Sequence, residues 1–404
     1  LAAREHLGNV GAVLVLAAFS AIRWGAYLGS AVPLGDEGIY LDAFREVAEG
    51  RPANQISGFY YPPISAEVGA IVVTAIGDRA TRALLRLGSV LGLAVSVWLS
   101  LCLWPAARRR RLIVGLLYVA FAPAVHYGIA SGNASFVVSG MILTGLTFWS
   151  VRPLISGLLL GGSVGIKPLA PLSIAALLTH RPVPWSGRNW LAGGVAAALA
   201  GALLASNPTY LTTGAGAVDR LPFIRSISLN RILTLLDLTV SPLLVACITA
   251  AVVVLIVRLV PMSRAELLCF GGVAAILAVP IIWSHTLVLT LPAQVLALRL
   301  AVERRRGAAA VATEGKVGGA GETWRRYELV FVCLAVAALQ LTEGAGAIDD
   351  RPLSFQVFIL TGAYLAAPVL MFYILAAARQ SPGPESERVS PQSGIGTKGS
   401  QLKK

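Results

Sequence analysis

Apolar stretches of bilayer-crossing length follow one another along almost the whole chain, and most charged residues lie in the intervals between them. With 56% of 404 residues hydrophobic and 13% charged, the chain has more apolar surface than a water-soluble domain could hide. The pattern predicts an all-α polytopic membrane protein, because a helix satisfies its own backbone hydrogen bonds in lipid. The net charge of +13 is concentrated in clusters such as the four arginines at 108–111. Lys and Arg beside spans mark their cytoplasmic ends, so this charge is read as a topology signal and no nucleic-acid partner is expected. Cys102, Cys247, Cys269 and Cys333 lie within apolar runs without metal-type spacing, which implies neither a disulfide framework nor a zinc site.

Charge bias orders the chain. Residues 10–31 form a first span that lacks a small-residue cleavage pattern and is read as retained, with the N-terminus in the cytoplasm. Residues 33–63 then form a first outer loop containing an amphipathic interfacial helix over 40–48. The run 64–76 is too short for an ordinary span of about 20 residues. Reading it as a re-entrant or surface helix, with 83–104 as the second span, returns the 108–111 arginines to the cytoplasm. Residues 112–129 cross outward and 136–150 return. Between Arg152 and Arg181, both expected inside, two half-spans meet at Lys167-Pro168, because Pro168 lacks an amide donor and disfavours helix before it. An outer loop at 207–237, further crossings to about twelve in all, a cytoplasmic loop at 303–326 and a disordered cytoplasmic tail at 381–404 complete a membrane domain of residues 1–380.

This assignment leaves the polar residues Asp36, His126, Asn133, Lys167, Asn230 and His285, and the Tyr60-Tyr61-Pro62-Pro63 turn, on the outer face or just beneath it. An ionisable group in a span is a functional candidate by default. Lys167 is either a lysine snorkelling to a headgroup or, beside a proline at the apex of two half-spans, part of an anion site for phosphate. Asp36 and Glu37 are either solvated loop acids or hold a general base that accepts a proton from a sugar hydroxyl. His285 and Trp283 suit a span end as well as a substrate contact, and Tyr61 suits an interfacial belt as well as sugar stacking. The Asp349-Asp350 pair beside Arg351 reads as loop solvation rather than a metal site, and no metal or cofactor is expected. P-loop and HExxH motifs are missing.

Six short motifs in one order carry a resemblance. They are Asp36-x-x-x-Tyr40, Tyr61-Pro62-Pro63, Gly132-Asn133-x-Ser135, Lys167-Pro168, Ser228-Leu229-Asn230, and Pro280-x-x-Trp283-Ser284-His285 followed by Leu291-Pro292. On these, the chain resembles the GT-C glycosyltransferases, and within them the family-87 group of polyprenol-phosphate-mannose-dependent α-mannosyltransferases. The resemblance implies a GT-C fold and metal-independent, inverting transfer of a sugar, mannose first, from a polyprenyl-phosphate donor to a glycolipid or lipoglycan acceptor. Transfer would take place on the periplasmic side of the plasma membrane, in cell-envelope glycolipid synthesis. It maps the acceptor-activating base onto Asp36. Lys167, His285, Asn133, Asn230, Arg225, Tyr61 and Trp283 fall near the donor phosphate or sugar, with Glu37, Tyr40 and His126 as secondary candidates. The chain departs from the usual pattern at Asn133-Ala134-Ser135 and at Thr286, where a second His is common.

An arabinosyl or other pentosyl transferase of the same architecture stays open. A lipid-linked-sugar flippase is the rival from another class. It predicts candidate residues at both faces and internal repetition, and neither is visible in this sequence.

Overall fold

A computed structural model describes residues 2–56, 58–59, 61–180, 187–205, 229–238, 240–277, 284–313, 320–340 and 351–380. Those residues are helical or in turns, with no strand among them. The N-terminal half runs α1 (Ala2–Arg23), α2 (Gly25–Leu28), α3 (Gly35–Ala48), α4 (Pro63–Leu101), α5 (Arg108–Phe121), α6 (Pro123–Ser131), α7 (Ser135–Phe148) and α8 (Pro153–Ile166). It continues through α9 (Pro171–Thr179), α10 (Gly187–Ala205), α11 (Leu229–Leu235), α12 (Pro242–Leu259) and α13 (Arg264–Leu277). A 3-10 helix (Ser284–Thr290) leads into α14 (Leu291–Thr313), α15 (Ala320–Gln340) and α16 (Leu353–Gln380).

Large apolar side chains point outward. Phe121 and Phe358 are 75% and 74% exposed, and Ile22, Leu158, Leu255 and Leu334 share that outer surface. Such a surface is stable against lipid rather than water, and the chain is a membrane protein. Among the described residues, Pro63–Leu101, Thr286–Arg306 and Leu353–Arg379 are long and apolar enough to cross a bilayer, with a fourth span if α5 and α6 count as one. Shorter apolar helices, α7, α8 and α12 among them, fill the rest.

Close helix contacts use small residues, as lipid-embedded helices do in the absence of a hydrophobic drive toward one another. Gly157, Gly161 and Gly165 repeat every fourth position along α8, and a β-carbon on any of them would lie within 2.9 Å of α10, against Val195, Ala196 O or Leu203. Around that pair the largest core cluster joins α7, α8 and α9 to α13, α14 and α16. A second cluster joins α1 to α4 and α5, and a third seats α3 on the start of α4 through Tyr40, Phe44 and Phe59.

Four features differ from the sequence expectations. The interfacial helix begins at Gly35 rather than Tyr40, so Asp36 and Glu37 occupy its first turn, where the free backbone amides favour carboxylates. The crossing expected over 112–129 is broken: α5 and α6 are bent by 57°, with Ala122 extended before Pro123. Residues 63–101 form one helical element interrupted at Gly77, whose φ of 75° and ψ of 164° lie outside the helical region. Finally, the 303–326 segment, expected as an unstructured loop, is helical over 303–313 and 320–326. Its Ala-rich stretch has the highest helix propensity, which outweighs the glycine that suggests a linker. The 381–404 tail and residues 206–228 of the expected outer loop lie outside the described residues.

Candidate active site

Residues from five elements meet where α3 begins. In α3, buried positions Glu37, Tyr40, Leu41 and Phe44 recur at helical spacing. They press this face onto α4, where the Phe44 ring occupies the space a β-carbon on Gly69 would need. Arg86, buried on α4, then fixes the chain ahead of α3. Its Nη1 donates to Leu28 O (2.7 Å) and Ser30 O (2.8 Å), and its Nη2 to Val32 O (3.3 Å). The same guanidinium holds Glu37 through Nε to Oε1 (2.9 Å) and Nη2 to Oε2 (2.7 Å). Glu37 also accepts the Leu34 amide at 2.9 Å, closing the helix N-terminus. Both oxygens of Glu37, a secondary candidate from the sequence, are thus engaged by Arg86 and the Leu34 amide.

Asp36 faces the other way and is half-buried. Its Oδ2 accepts a hydrogen bond from Asn133 Nδ2. Asn133 reaches it because α6 ends in Gly132, left-handed at φ 66°, which turns the chain against α3. A β-carbon on Gly132 would stand 2.7 Å from Glu37 Cβ and 3.0 Å from Leu34 Cβ, so both the backbone handedness and the close approach require glycine.

The buried Asn133 amide has a fixed orientation. Its Oδ1 accepts the Ser135 backbone N–H (2.8 Å) and hydroxyl (2.6 Å), which leaves Nδ2 to face Asp36 and, at 3.5 Å, the Tyr61 hydroxyl. Lys167 joins from the end of α8. It is extended before Pro168, at φ −152° and ψ 125°, so the helix stops there and the side chain turns inward. Its Nζ donates to Ser135 Oγ (2.8 Å) and Asn133 Oδ1 (3.4 Å) and lies 5.8 Å from the Tyr61 ring centroid. Lys167 is buried, yet no carboxylate among the described residues forms an ion pair with it.

The Tyr61 ring packs on Tyr40 and Phe59, with centroids 4.7 and 5.6 Å apart. Burial pushes the Tyr40 phenol well above its ordinary pKa, an effect the neighbouring Tyr61 reinforces, so Tyr40 is a neutral wall rather than a base. Beside these residues opens a cavity of about 510 Å³, lined by Tyr40, Ala134 and Ile166 at the polar end and by Val68, Val137 and Leu203 beyond.

Asp36, Tyr61, Asn133 and Lys167, separated by up to 131 positions in sequence, thus form one network. Ser135 and Arg86 are the residues that sequence reasoning passed over. Ser135 was visible as the end of the Gly-Asn-x-Ser turn, and Arg86 as an arginine inside an apolar run. His126 belongs to another cluster, stacked on Trp24 at 5.3 Å and within 3.3 Å of the Tyr27 hydroxyl through Nε2. The main chain of His285 lies in the first turn of the 3-10 helix that packs on α6, and that of Asn230 lies in α11. The side chains of both, like Arg225, Trp283 and Tyr60 entirely, lie outside the described residues. No group of three or more His, Cys, Asp and Glu suited to a metal occurs among the described residues.

The network can accept a proton at Asp36 and present a positive charge at Lys167, with aromatic walls between them. No curated protein and no solved structure matches the chain. Among known families, Glycosyltransferase family 87 matches residues 59–282, more than half of the chain, and this segment carries Tyr61, Asn133, Ser135 and Lys167. The chain belongs to glycosyltransferase family 87.

Proposed function

We propose that the chain transfers a sugar from a polyprenyl-phosphate donor to a glycolipid or lipoglycan acceptor at the extracytoplasmic face of the plasma membrane, with inversion and without a metal. The observation that carries this reading is the buried Lys167 ammonium, which lacks a carboxylate partner among the described residues and is tied through Asn133 to Asp36. A buried cation without an ion-pair contact favours an anionic ligand, and the donor phosphate supplies one. The adjoining apolar cavity of about 510 Å³ suits the first isoprenoid units of the donor.

In this reading Asp36 takes the proton of an acceptor hydroxyl as its oxygen bonds to the anomeric carbon. The bond from that carbon to the phosphate oxygen breaks, and the polyprenyl phosphate leaves with the electron pair facing Lys167. One displacement on the opposite face inverts the anomeric configuration. His285, Asn230, Arg225 and Trp283 complete the donor side, within a GT-C architecture of about twelve crossings that counts the half-spans meeting at Lys167-Pro168. Mannose is the first sugar to test, on the motif resemblance.

The test is transfer by protein in nanodiscs, given polyprenyl phosphomannose and mixed mannosylated glycolipids, for the unaltered chain and Asp36→Asn. Transfer that is lost in the variant while donor binding persists supports the reading. Equal transfer by both removes Asp36 from the chemistry. Failure of both with polyprenyl-phosphate donors of mannose and of arabinose, donor binding intact, favours a flippase.

A further inference from the structure

The arginines that mark one end of α5 do more than set topology. Arg108–Arg111 occupy the first turn of that helix, the end where its dipole already disfavours cations, and they lie next to one another in sequence. Beside them is a cavity of about 450 Å³, bounded by the Trp104–Ala106 turn, α5 and the Arg299–Arg306 stretch of α14. It lies at the opposite end of the α5–α6 pair from Asn133, remote from the proposed transfer site.

Arg110, Arg111, Arg299 and Arg306 line this cavity, against Glu303 as its one acid. Arg299 takes up that acid, donating from Nε to Glu303 Oε1 at 2.9 Å and from Nη1 to Leu103 O at 3.0 Å. The Arg111 guanidinium lies 5.3 Å from the Trp98 ring centroid, and its buried Nε has no hydrogen-bond acceptor. The side chains of Arg110 and Arg306 have neither an ion pair nor a hydrogen bond among the described residues. Positive charge in the cavity is thus left without a counter-charge among the described residues.

The walls indicate the source of the missing anion. Ile113 and Val114 line the cavity and continue with Leu117 and Phe121 as an exposed apolar stripe. At 100° per residue Arg110 heads that same face of α5, so a charged rim passes directly into a lipid-facing surface. A soluble anion needs no such surface, whereas a phospholipid uses both parts.

We propose that this cavity binds the phosphate headgroup of an anionic membrane lipid, between Arg110 and Arg306, with its acyl chains along the stripe from Ile113 to Phe121.

The test uses purified full-length protein, delipidated and then titrated with phosphatidylglycerol, phosphatidylcholine or inorganic phosphate, and followed by native mass spectrometry and thermal midpoint. Phosphatidylglycerol is expected to bind and to raise the midpoint. The double variant Arg110→Gln/Arg306→Gln should weaken that binding about tenfold or more, while Arg110→Lys/Arg306→Lys, which keeps both charges, retains most of it. Equal phosphatidylglycerol binding by the unaltered protein and the Gln pair overturns the assignment, as does equal binding of phosphatidylcholine. Displacement by equimolar inorganic phosphate marks a soluble-anion site and overturns it too. Loss in the Lys pair as complete as in the Gln pair ties the effect to folding and has the same consequence.

Discussion

Arg86 grips Glu37 with two parallel hydrogen bonds of 2.9 and 2.7 Å, while the neighbouring Asp36 points the other way, to Asn133. One carboxylate of the Asp-Glu pair anchors the helix and the other is left at the site. The two therefore differ in what their loss does. Arg86→Met leaves a buried carboxylate uncompensated and is expected to cost about 3–5 kcal/mol, lowering the thermal midpoint together with activity. Asp36→Asn alters a side chain that is only half-buried, keeps a hydrogen-bonding group there, and should change stability by about 0.5 kcal/mol or less while abolishing transfer. Thermal melts of the two variants beside the transfer assay check the contrast, and a large loss of stability in Asp36→Asn would sink it.

Asn133 keeps its two ends apart: the oxygen faces Ser135 and Lys167, the nitrogen faces Asp36. Asn133→Asp replaces a donor with a second carboxylate against Asp36. Like charges at that separation cannot both ionise freely. The variant should lose transfer by about a hundredfold or more at neutral pH, with partial recovery at lower pH as the pair takes up a proton. A pH–rate profile identical in shape to that of the unaltered protein would contradict this.

Much of this was legible in the sequence, for local reasons. Pro168 marks a helix break because its effect is confined to its own amide and the preceding residue, whereas the equally local break at Pro123 was read through as one crossing. The amphipathic period of α3 is likewise local. Residue chemistry alone left Asp36 and Glu37 equivalent and only the motif resemblance separated them, since the partner that occupies Glu37, Arg86, is 49 positions away. The Asn133–Asp36 bond, spanning 97 positions, depends on the handedness of one glycine and on close packing against α3. The helix over 303–313 is hard to see in a Gly- and Ala-rich stretch, because the two residues lie at opposite ends of the helix-propensity scale and here the alanines decide.

Gly132 answers two constraints, and two substitutions separate them. Gly132→Ala meets both the left-handed backbone cost, about 1–2 kcal/mol, and the 2.7 Å approach to Glu37 Cβ. Gly132→Asn tolerates the backbone but still carries a β-carbon. Both variants should lose stability and transfer, Asn a little less. Stability near that of the unaltered protein in Gly132→Asn would show that handedness alone matters.

Lys167→Gln removes the buried charge that faces Ser135 and keeps a polar side chain. Donor binding should weaken by about tenfold or more, the fold-change of a lost charge-assisted hydrogen bond worth about 1.5–3 kcal/mol. The natural comparison is binding of the free polyprenyl alcohol, which lacks the phosphate. Its affinity should be the same in both proteins, and an equal loss for alcohol and phosphate would move Lys167 out of phosphate recognition.

In the proposed reading the donor's chain extends beyond Lys167 into the apolar cavity, and Gly162 gives access to it. Gly162 lies on α8 and lines the cavity, and a β-carbon there meets only Met141 Cε, at an ordinary 3.5 Å. Gly162→Leu therefore fits the helix, replaces a weak helix former with a strong one, and directs its added volume into the cavity. Folding should be unharmed and the thermal midpoint equal or higher. An isoprenoid unit displaced from the cavity forfeits apolar burial worth about 0.8 kcal/mol per methylene-sized group. KM for a long-chain polyprenyl phosphomannose should accordingly rise about tenfold or more. A single-unit isoprenyl donor, too short to reach past Ile166, should keep its KM in the same variant. Equal effects on short and long donors would place the chain elsewhere on the protein, while leaving the roles of Asp36 and Lys167 to their own tests.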